Sequence, residues 1–398
     1  MYAFKPHVFT EHFSSSIAKP KGRINSKIHC DGKNVYIYNN MYPAPLSAQD
    51  LLNNLFGSNL EAHEIWLYNL AGQQWRLMRN NSNLPDKDHV TFGIIFESSY
   101  LVFWTKGGRS NDGLSSLRYQ LHIWDLNTES VLVRETSGDI PDVPTGLNLI
   151  RHGKYFYTVG IDALLEEFSD VYRLNIEDGV WEAVYICKGL DANEPVGRSD
   201  HTLVHDKNMI YIFGGVRTDS ELEFSLFEIP GFDLEKCCWK IVETHGDEDY
   251  VPHYPVLRYD FAVTSYTDPD TGEINVIISG GIDCDHENAL NDVWRLNLTS
   301  LKWTCLEKYG TVLPDYVYSH SMTVSPAGKL FTFGGHISIN MEDETCSSSL
   351  HSTWLRIPKL TDICLEAVFH YFPNLKSMTD KEIMSLGLPL QLLKSRIH

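Results

Sequence analysis

The absences in this sequence narrow the field before anything present does. None of the eight cysteines forms a C-x-x-C pair, so the sequence signature of a thioredoxin-type redox motif or a cysteine zinc site is missing. No apolar run approaches the ~20 residues a membrane-spanning helix needs. The opening Met1-Tyr2-Ala3-Phe4-Lys5-Pro6-His7 carries no secretory apolar core. There is no P-loop and no G-x-S-x-G. Positive charge is scarce as well. Against 52 Asp and Glu stand 33 Lys and Arg, and the net charge of -19 disfavours nucleic acid or an anionic membrane as partner. These absences lead us to expect no catalytic residues, no cofactor and no metal. Asp283, Asp285 and Glu287 resemble a calcium loop only faintly and read as a solvated acidic loop. Scattered cysteines suit a reducing setting, cytoplasmic and/or nuclear, with buried free thiols.

What is present is a repeat. Asn291-Asp292-Val293-Trp294-Arg295-Leu296-Asn297 is followed by Trp303, nine residues beyond Trp294. Ser169-Asp170-Val171-Tyr172-Arg173-Leu174-Asn175 is followed by Trp181, and Ile65-Trp66-Leu67-Tyr68-Asn69 by Trp75, again nine residues from aromatic to Trp. Repetition on this scale decides architecture before local propensity does.

Six glycine pairs or worn equivalents punctuate the chain: Asn39-Asn40, Gly107-Gly108, Gly160-Ile161, Gly214-Gly215, Gly280-Gly281 and Gly334-Gly335. Gly160 to Gly214 and Gly280 to Gly334 are both 54 residues; Gly214 to Gly280 is 66, lengthened by the turn-rich Thr267–Gly272. Each unit reads as four short strands, the one before the glycines apolar on both faces. This is the kelch pattern, and it predicts an all-β, six-bladed β-propeller, with five or seven blades left open by the eroded first three units. The glycines allow neighbouring blades to approach closely and take positive φ near the axis. Trp66, Trp75, Trp181, Trp294 and Trp303 are expected to pack between blades. In the last unit Trp354-Leu355-Arg356-Ile357 supplies a third strand and Pro358 ends the β pattern, so a segment within residues 2–20, around His7-Val8-Phe9-Thr10, is expected to close that blade.

The propeller is therefore assigned to 1–358 and a helical module to 359–398. Leu360, Cys364 and Val368 recur at helical spacing, with Ile363, Ala367 and Tyr371 beside them, and Pro373 ends the helix. Thr379-x-x-Glu382 is a capping box opening a second helix that Gly387 ends, and Leu388-Pro389 opens a third.

Leu360-x-x-x-Cys364-x-x-x-Val368 resembles the elongin-binding box of cullin-RING substrate receptors, and Leu388-Pro389-x-x-Leu392 sits where those proteins carry a cullin box. Placed directly after a six-unit kelch array, the pair resembles the kelch-repeat receptors of cullin-2/elongin ubiquitin ligases. Ser325-Pro326-Ala327-Gly328, Trp354-Leu355-x-Ile357-Pro358 and Phe372-Pro373-Asn374-Leu375 extend that resemblance. It implies a non-enzymatic subunit that binds elongin C/B and cullin-2 and recognises the C-termini of protein substrates. The other reading is a kelch scaffold, signalling or actin-associated, whose tail packs on the propeller. The worn early glycine pairs and the long loop from Met41 to Ala62 depart from the family pattern on the substrate face.

In a propeller, the loops entering the inner strands and those following the glycine pairs gather at one face around the axis. Those loops carry Arg198, Ser199, His201, Arg217, Arg258, Tyr259, Tyr318, His320 and His336. Arginine beside aromatic walls suits capture of a carboxylate. Related kelch receptors use an Arg just beyond the glycine pair, which puts Arg217 first. Arg198 and His201, in an R-x-x-H that kelch units often carry, could instead satisfy loop carbonyls. Histidines in this set show no H-x-H or H-x-x-x-H spacing of the kind a copper oxidase would need.

Overall fold

A computed structural model of the chain describes residues 4–14, 16–39, 64–78, 89–107, 118–141, 147–160, 169–189, 193–198, 201–215, 224–338, 344–372, 375 and 378–390. Six antiparallel four-stranded units follow one another along the chain, which confirms the six-bladed propeller. Blade one is built from Lys27–Cys30, Asn34–Asn39, Glu64–Asn69 and Gln74–Leu77. Blade two uses His89–Glu97, Tyr100–Gly107, Arg118–Asp125 and Val131–Glu135, with Leu147–Asn148 added in parallel beside its inner strand. Blade three uses Ile150–His152, Tyr155–Val159, Val171–Asn175 and Val180–Tyr185. Blade four is Thr202–Asp206, Met209–Phe213, Glu228–Asp233 and Cys238–Glu243, and blade five Ala262–Thr267, Ile274–Ser279, Val293–Asn297 and Lys302–Cys305.

Blade six closes the ring with both ends of the chain. Ser321–Val324, Lys329–Phe333 and Leu350–Trp354 are completed by Thr10–Glu11, with Thr10 opposite Ser352 and Glu11 opposite His351. The expected closure therefore holds. Its details shift: the third strand ends at Trp354 where the sequence suggested it would begin, and the N-terminal strand starts at Thr10.

Blades stack because the second strand of each is apolar on both faces. One buried cluster fills every gap: Tyr38 with Phe103 between blades one and two, Trp104 with Trp181 between two and three, Val159 with Ile210 between three and four. The ring continues with Phe213 and Trp294 between four and five, Ile277 and Leu330 between five and six, and Phe333 with Trp75 between six and one. The five tryptophans assigned to packing are all buried there. At Gly280, φ is 58° and a Cβ would stand 2.3 Å from the Val317 carbonyl oxygen of blade six. At Gly334 it would stand 2.4 Å from the Arg23 carbonyl oxygen of blade one. Any side chain there would push neighbouring blades apart.

All eight cysteines are free, but only Cys30 and Cys305 are buried, fewer than expected. Burial pushes the Cys30 thiol up to about 12 and the Cys305 thiol up to about 11.

Beyond the propeller lie α1 (Leu360–Tyr371) and α2 (Asp380–Ser385). The capping box at α2 forms as read: the Thr379 side chain accepts from the Glu382 amide, and the Glu382 carboxylate accepts from the Thr379 amide at 2.7 Å. Of the third expected helix only Leu388, Pro389 and Leu390 are described, and Leu392 lies outside the described residues. So does Pro373; the described end of α1 is Tyr371.

Candidate interaction site

Three arginines enter the propeller from the loops before inner strands, and among the described residues only two are paired with an acid. In blade five, Arg258 donates to the Gly280 carbonyl at 3.1 Å and to both oxygens of Asp292, at 2.5 and 2.8 Å. The indole of Trp294 donates to the same carboxylate at 2.7 Å. Blade one repeats this clamp: Arg23 reaches Glu64 at 2.9 Å, and Trp66 donates to Glu64 at 3.0 Å.

Blade four breaks the rule. Arg198 donates to the Val196 and Gly214 carbonyls at 3.4 and 3.3 Å and lies 3.5 Å from the ring centre of Phe224. No carboxylate among the described residues pairs with it. Glu228, in the place of Asp292, is exposed, and Pro230 replaces the tryptophan, so no indole steers the acid inward. Only 6% of Arg198 is exposed. Burial pulls its pKa down to about 9. A buried cation without an anion is costly unless one is supplied. Two carbonyl bonds leave guanidinium donors free to take a carboxylate.

The neighbouring groups are polar too. His201 Nδ1 bonds the Arg198 carbonyl at 3.0 Å, while its Nε2 is buried with no partner. Burial holds this imidazole down to about 4, so it is neutral and offers a lone pair. Asn148 donates to the His201 carbonyl and accepts from Lys27 Nζ at 3.1 Å, linking blades one, two and four around the axis.

The other assigned residues divide. Arg258 is withdrawn from the ligand set, because its side chain is fully buried and held by Asp292. His320 is also a wall residue: it is buried and bonds Ser279 at 2.8 Å. His336 is buried, stacks on Tyr318 at 5.0 Å and lies 3.6 Å from the Cys346 thiol. Tyr259 and Tyr318 stay half-exposed on short ribbons raised above blades five and six. Burial pushes the Tyr259 phenol upward, with Asp260 adding to it. Ser199 and Arg217 lie outside the described residues. Lys27, Asn148 and Phe224 were missed by the sequence reading. The acid-x-aromatic signal of Glu64-x-Trp66 and Asp292-x-Trp294, lost in blade four, would have singled out Arg198.

The tail occupies the opposite face. Leu365 packs with Leu375, Ile383 and Ala71, and Ala71 belongs to a turn at the far end of blade one. Glu366 accepts from Lys329 Nζ at 2.5 Å and from Trp354 Nε1 at 3.1 Å. A cavity of about 250 Å³ between α1 and the propeller, lined by Lys33, Ala71, Phe331 and Phe369 among others, shows that the helix is latched at points rather than merged into the core. Leu360 is 74% exposed and Cys364 is exposed, one turn apart on the outer face. Val368 and Leu388 turn partly inward onto the tail's own cluster, so they support the module more than they present it. Pro389 is exposed.

Asp283, Asp285 and His286 offer ligand atoms within 4.8 Å of one another, but Asp285 and His286 are exposed, and the Asp285 amide and His286 ring already satisfy Asp283 as an ordinary turn. No described helix is long and apolar enough to cross a membrane.

The KLHDC2/KLHL20/DRC7 Kelch-repeats domain model matches residues 55–215 and 187–371. The chain belongs to the kelch-repeat family. It is similar to the Kelch domain-containing protein 10 homolog of Drosophila melanogaster, 29% identical over 84% of this chain and 55% of the fly protein. It is similar to Kelch domain-containing protein 10 of Rattus norvegicus and of Homo sapiens, each 25% identical over 94% of this chain, covering 86% and 79% of those proteins. The chain thus spans little more than half the length of the fly relative and most of the mammalian ones. In this kelch propeller the worn clamp of blade four, not a worn glycine pair, marks the candidate site.

Proposed function

We propose that this kelch protein is a non-enzymatic substrate receptor of a cullin-2-RING ubiquitin ligase, joined to it through elongin B and C. Its propeller binds C-terminal degrons of target proteins, which are then ubiquitinated by other subunits and degraded. It works in the cytoplasm and/or nucleus. The observation that carries this reading is the division of α1. Leu365 and Glu366 hold the helix to the propeller, while Leu360 and Cys364, two of the three residues of the box resemblance, remain in solvent and the third, Val368, packs on the tail's own cluster. A helix that served only the fold would turn its apolar stripe inward.

The placement of the two sites supports the same reading. Arg198 lies in the loop entering an inner strand, and the tail docks beneath the turns at the other end of those strands. A substrate on one face and a ligase on the other do not compete. A carboxylate end group would supply the anion that no described residue gives Arg198, and the free lone pair of His201 and the Lys27 ammonium suit the amide and carboxyl groups of a chain terminus. Pro389 and Leu392 are assigned to the cullin contact, with Leu388, packed on the tail's own cluster, holding that segment in place.

Affinity purification of the full chain from cytosol, beside Leu360→Lys with Cys364→Lys, tests this. Elongin and a cullin lost only from the double mutant are the expected result; elongin on neither sample sinks the proposal. The second reading, a scaffold with a packed tail, draws on the Glu366 latch and predicts no elongin at all.

A further inference from the structure

The innermost strands of a propeller stand around a central channel. In this chain the channel does not run clear. Blade two carries a fifth strand, Leu147–Asn148, on the axial side of its inner strand, with Asn148 opposite Ile94. The sequence makes room for it at Gly93. The inner strand shifts register between Thr91 and Gly93, and a Cβ on Gly93 would come within 3.0 Å of the Leu149 side chain. Leu149 is buried between blades two and three, which anchors the added strand.

Asn148 is thereby delivered to the axis, and its amide is used at both ends. It accepts from Lys27 Nζ at 3.1 Å and donates to the His201 carbonyl. Lys27 opens the inner strand of blade one, opposite Tyr38, and His201 directly precedes the inner strand of blade four. Blades one and four stand three apart, either way round, in a ring of six. A line of hydrogen bonds from one to the other therefore crosses the axis. Arg198 lies on the loop that leads into His201 and bonds the Gly214 carbonyl at 3.3 Å, so it stands on the loop side of this line.

We infer that, on the receptor reading of the propeller, Lys27, Asn148 and the His201 backbone form a crossbar that closes the channel beneath Arg198 and makes the site specific for the end of a chain. A peptide entering from the loop face passes Arg198 and then meets the crossbar. A terminus can stop there with its carboxylate beside the guanidinium. An internal segment would have to run on, and the way is blocked. Specificity of this kind needs an obstacle as well as an attraction. Arg198 supplies the attraction, as a guanidinium suited to a carboxylate. Asn148 supplies the obstacle, and its two bonds to opposite sides of the ring hold it in place.

The test uses the full chain and a pool of random octapeptides with free C-termini, captured on immobilised wild type and sequenced. The best-retained peptide is then synthesised as selected and with one alanine added at its C-terminus, and both dissociation constants are measured for wild type and for Asn148→Ala. The added residue is expected to weaken binding to wild type at least ~10-fold and to Asn148→Ala less than ~3-fold, because the opened floor admits it and Lys27 remains to receive the displaced carboxylate. A purely structural Asn148 would leave that ratio unchanged. Melting curves show whether the variant folds, and Asn148→Ser, also too short to reach both partners, replaces one that does not. An unchanged penalty in the folded variant, or a wild type that tolerates the added alanine, overturns the crossbar and leaves terminal recognition by Arg198 standing. A wild type that retains no peptide above a heat-denatured control overturns the receptor reading and the crossbar's role with it.

Discussion

Lys329 of blade six and Glu366 of α1 meet at 2.5 Å, and Trp354 donates to the same carboxylate oxygen at 3.1 Å. The blade that receives the N-terminal strand therefore also receives the tail, so ring closure and tail docking share one sheet. Side-chain exposures of 16% and 25% make this a partly desolvated pair rather than a free surface one.

Glu366→Ala should release the helix without opening the propeller. A charge-assisted hydrogen bond of this kind contributes about 1.5–3 kcal/mol. Hydrogen exchange is expected to speed up in Leu360–Tyr371 and stay unchanged in Met209–Phe213.

The clamp arginines should behave in opposite ways. Arg258→Met strands the Asp292 carboxylate, and breaking a buried pair costs about 3–5 kcal/mol in urea unfolding. Arg198→Met removes a cation that no described acid pairs, so it should be neutral or stabilising. The same change should cost a bound peptide its anchor. A peptide with a free C-terminus should bind wild type at least ~10-fold better than its amidated form, a difference of ~1.4 kcal/mol, and Arg198→Met should erase that difference.

Acid should destabilise the fold through three histidines. Burial lowers His12 to about 3, and His201 and His320 to about 4. An unfolded histidine takes up its proton near ~6.5, where the folded one does not, so the unfolded state binds more protons and stability falls with pH. Their contribution is complete above ~6.5 and lost at about 1.4 kcal/mol per histidine per pH unit below it, levelling off near the folded values. Urea midpoints at pH 7, 6 and 5 should drop progressively; a flat profile would mean these rings are protonated in the fold.

The ring was legible in the sequence because its signals are periodic. Gly280-Gly281 and the Trp294–Trp303 interval reappear wherever blades must meet, and even the worn units form complete sheets, since alternating apolar strands carry more of the packing than the glycines do. The site was less legible. Arg258 and Arg198 look alike as sequence, and only the contact with Asp292, 34 residues away, tells the structural one from the open one. Which face of the tail helix turns inward was not legible either. The row Leu360, Cys364, Val368 was read as one stripe, yet the helix buries Leu365 beside it and leaves the first two residues outside. Periodicity gives a helix its faces; the contact at Ala71 decides which one turns in.

The central claim is tested most directly by mixing the purified full chain with purified elongin B/C and measuring complex formation by size-exclusion chromatography with light scattering. Wild type should form a one-to-one-to-one complex. Leu360→Lys with Cys364→Lys should elute alone while keeping its melting temperature, since both positions are solvent-facing and such changes cost under ~0.5 kcal/mol. A wild-type chain that remains alone, or a double mutant that still binds, would contradict the receptor account.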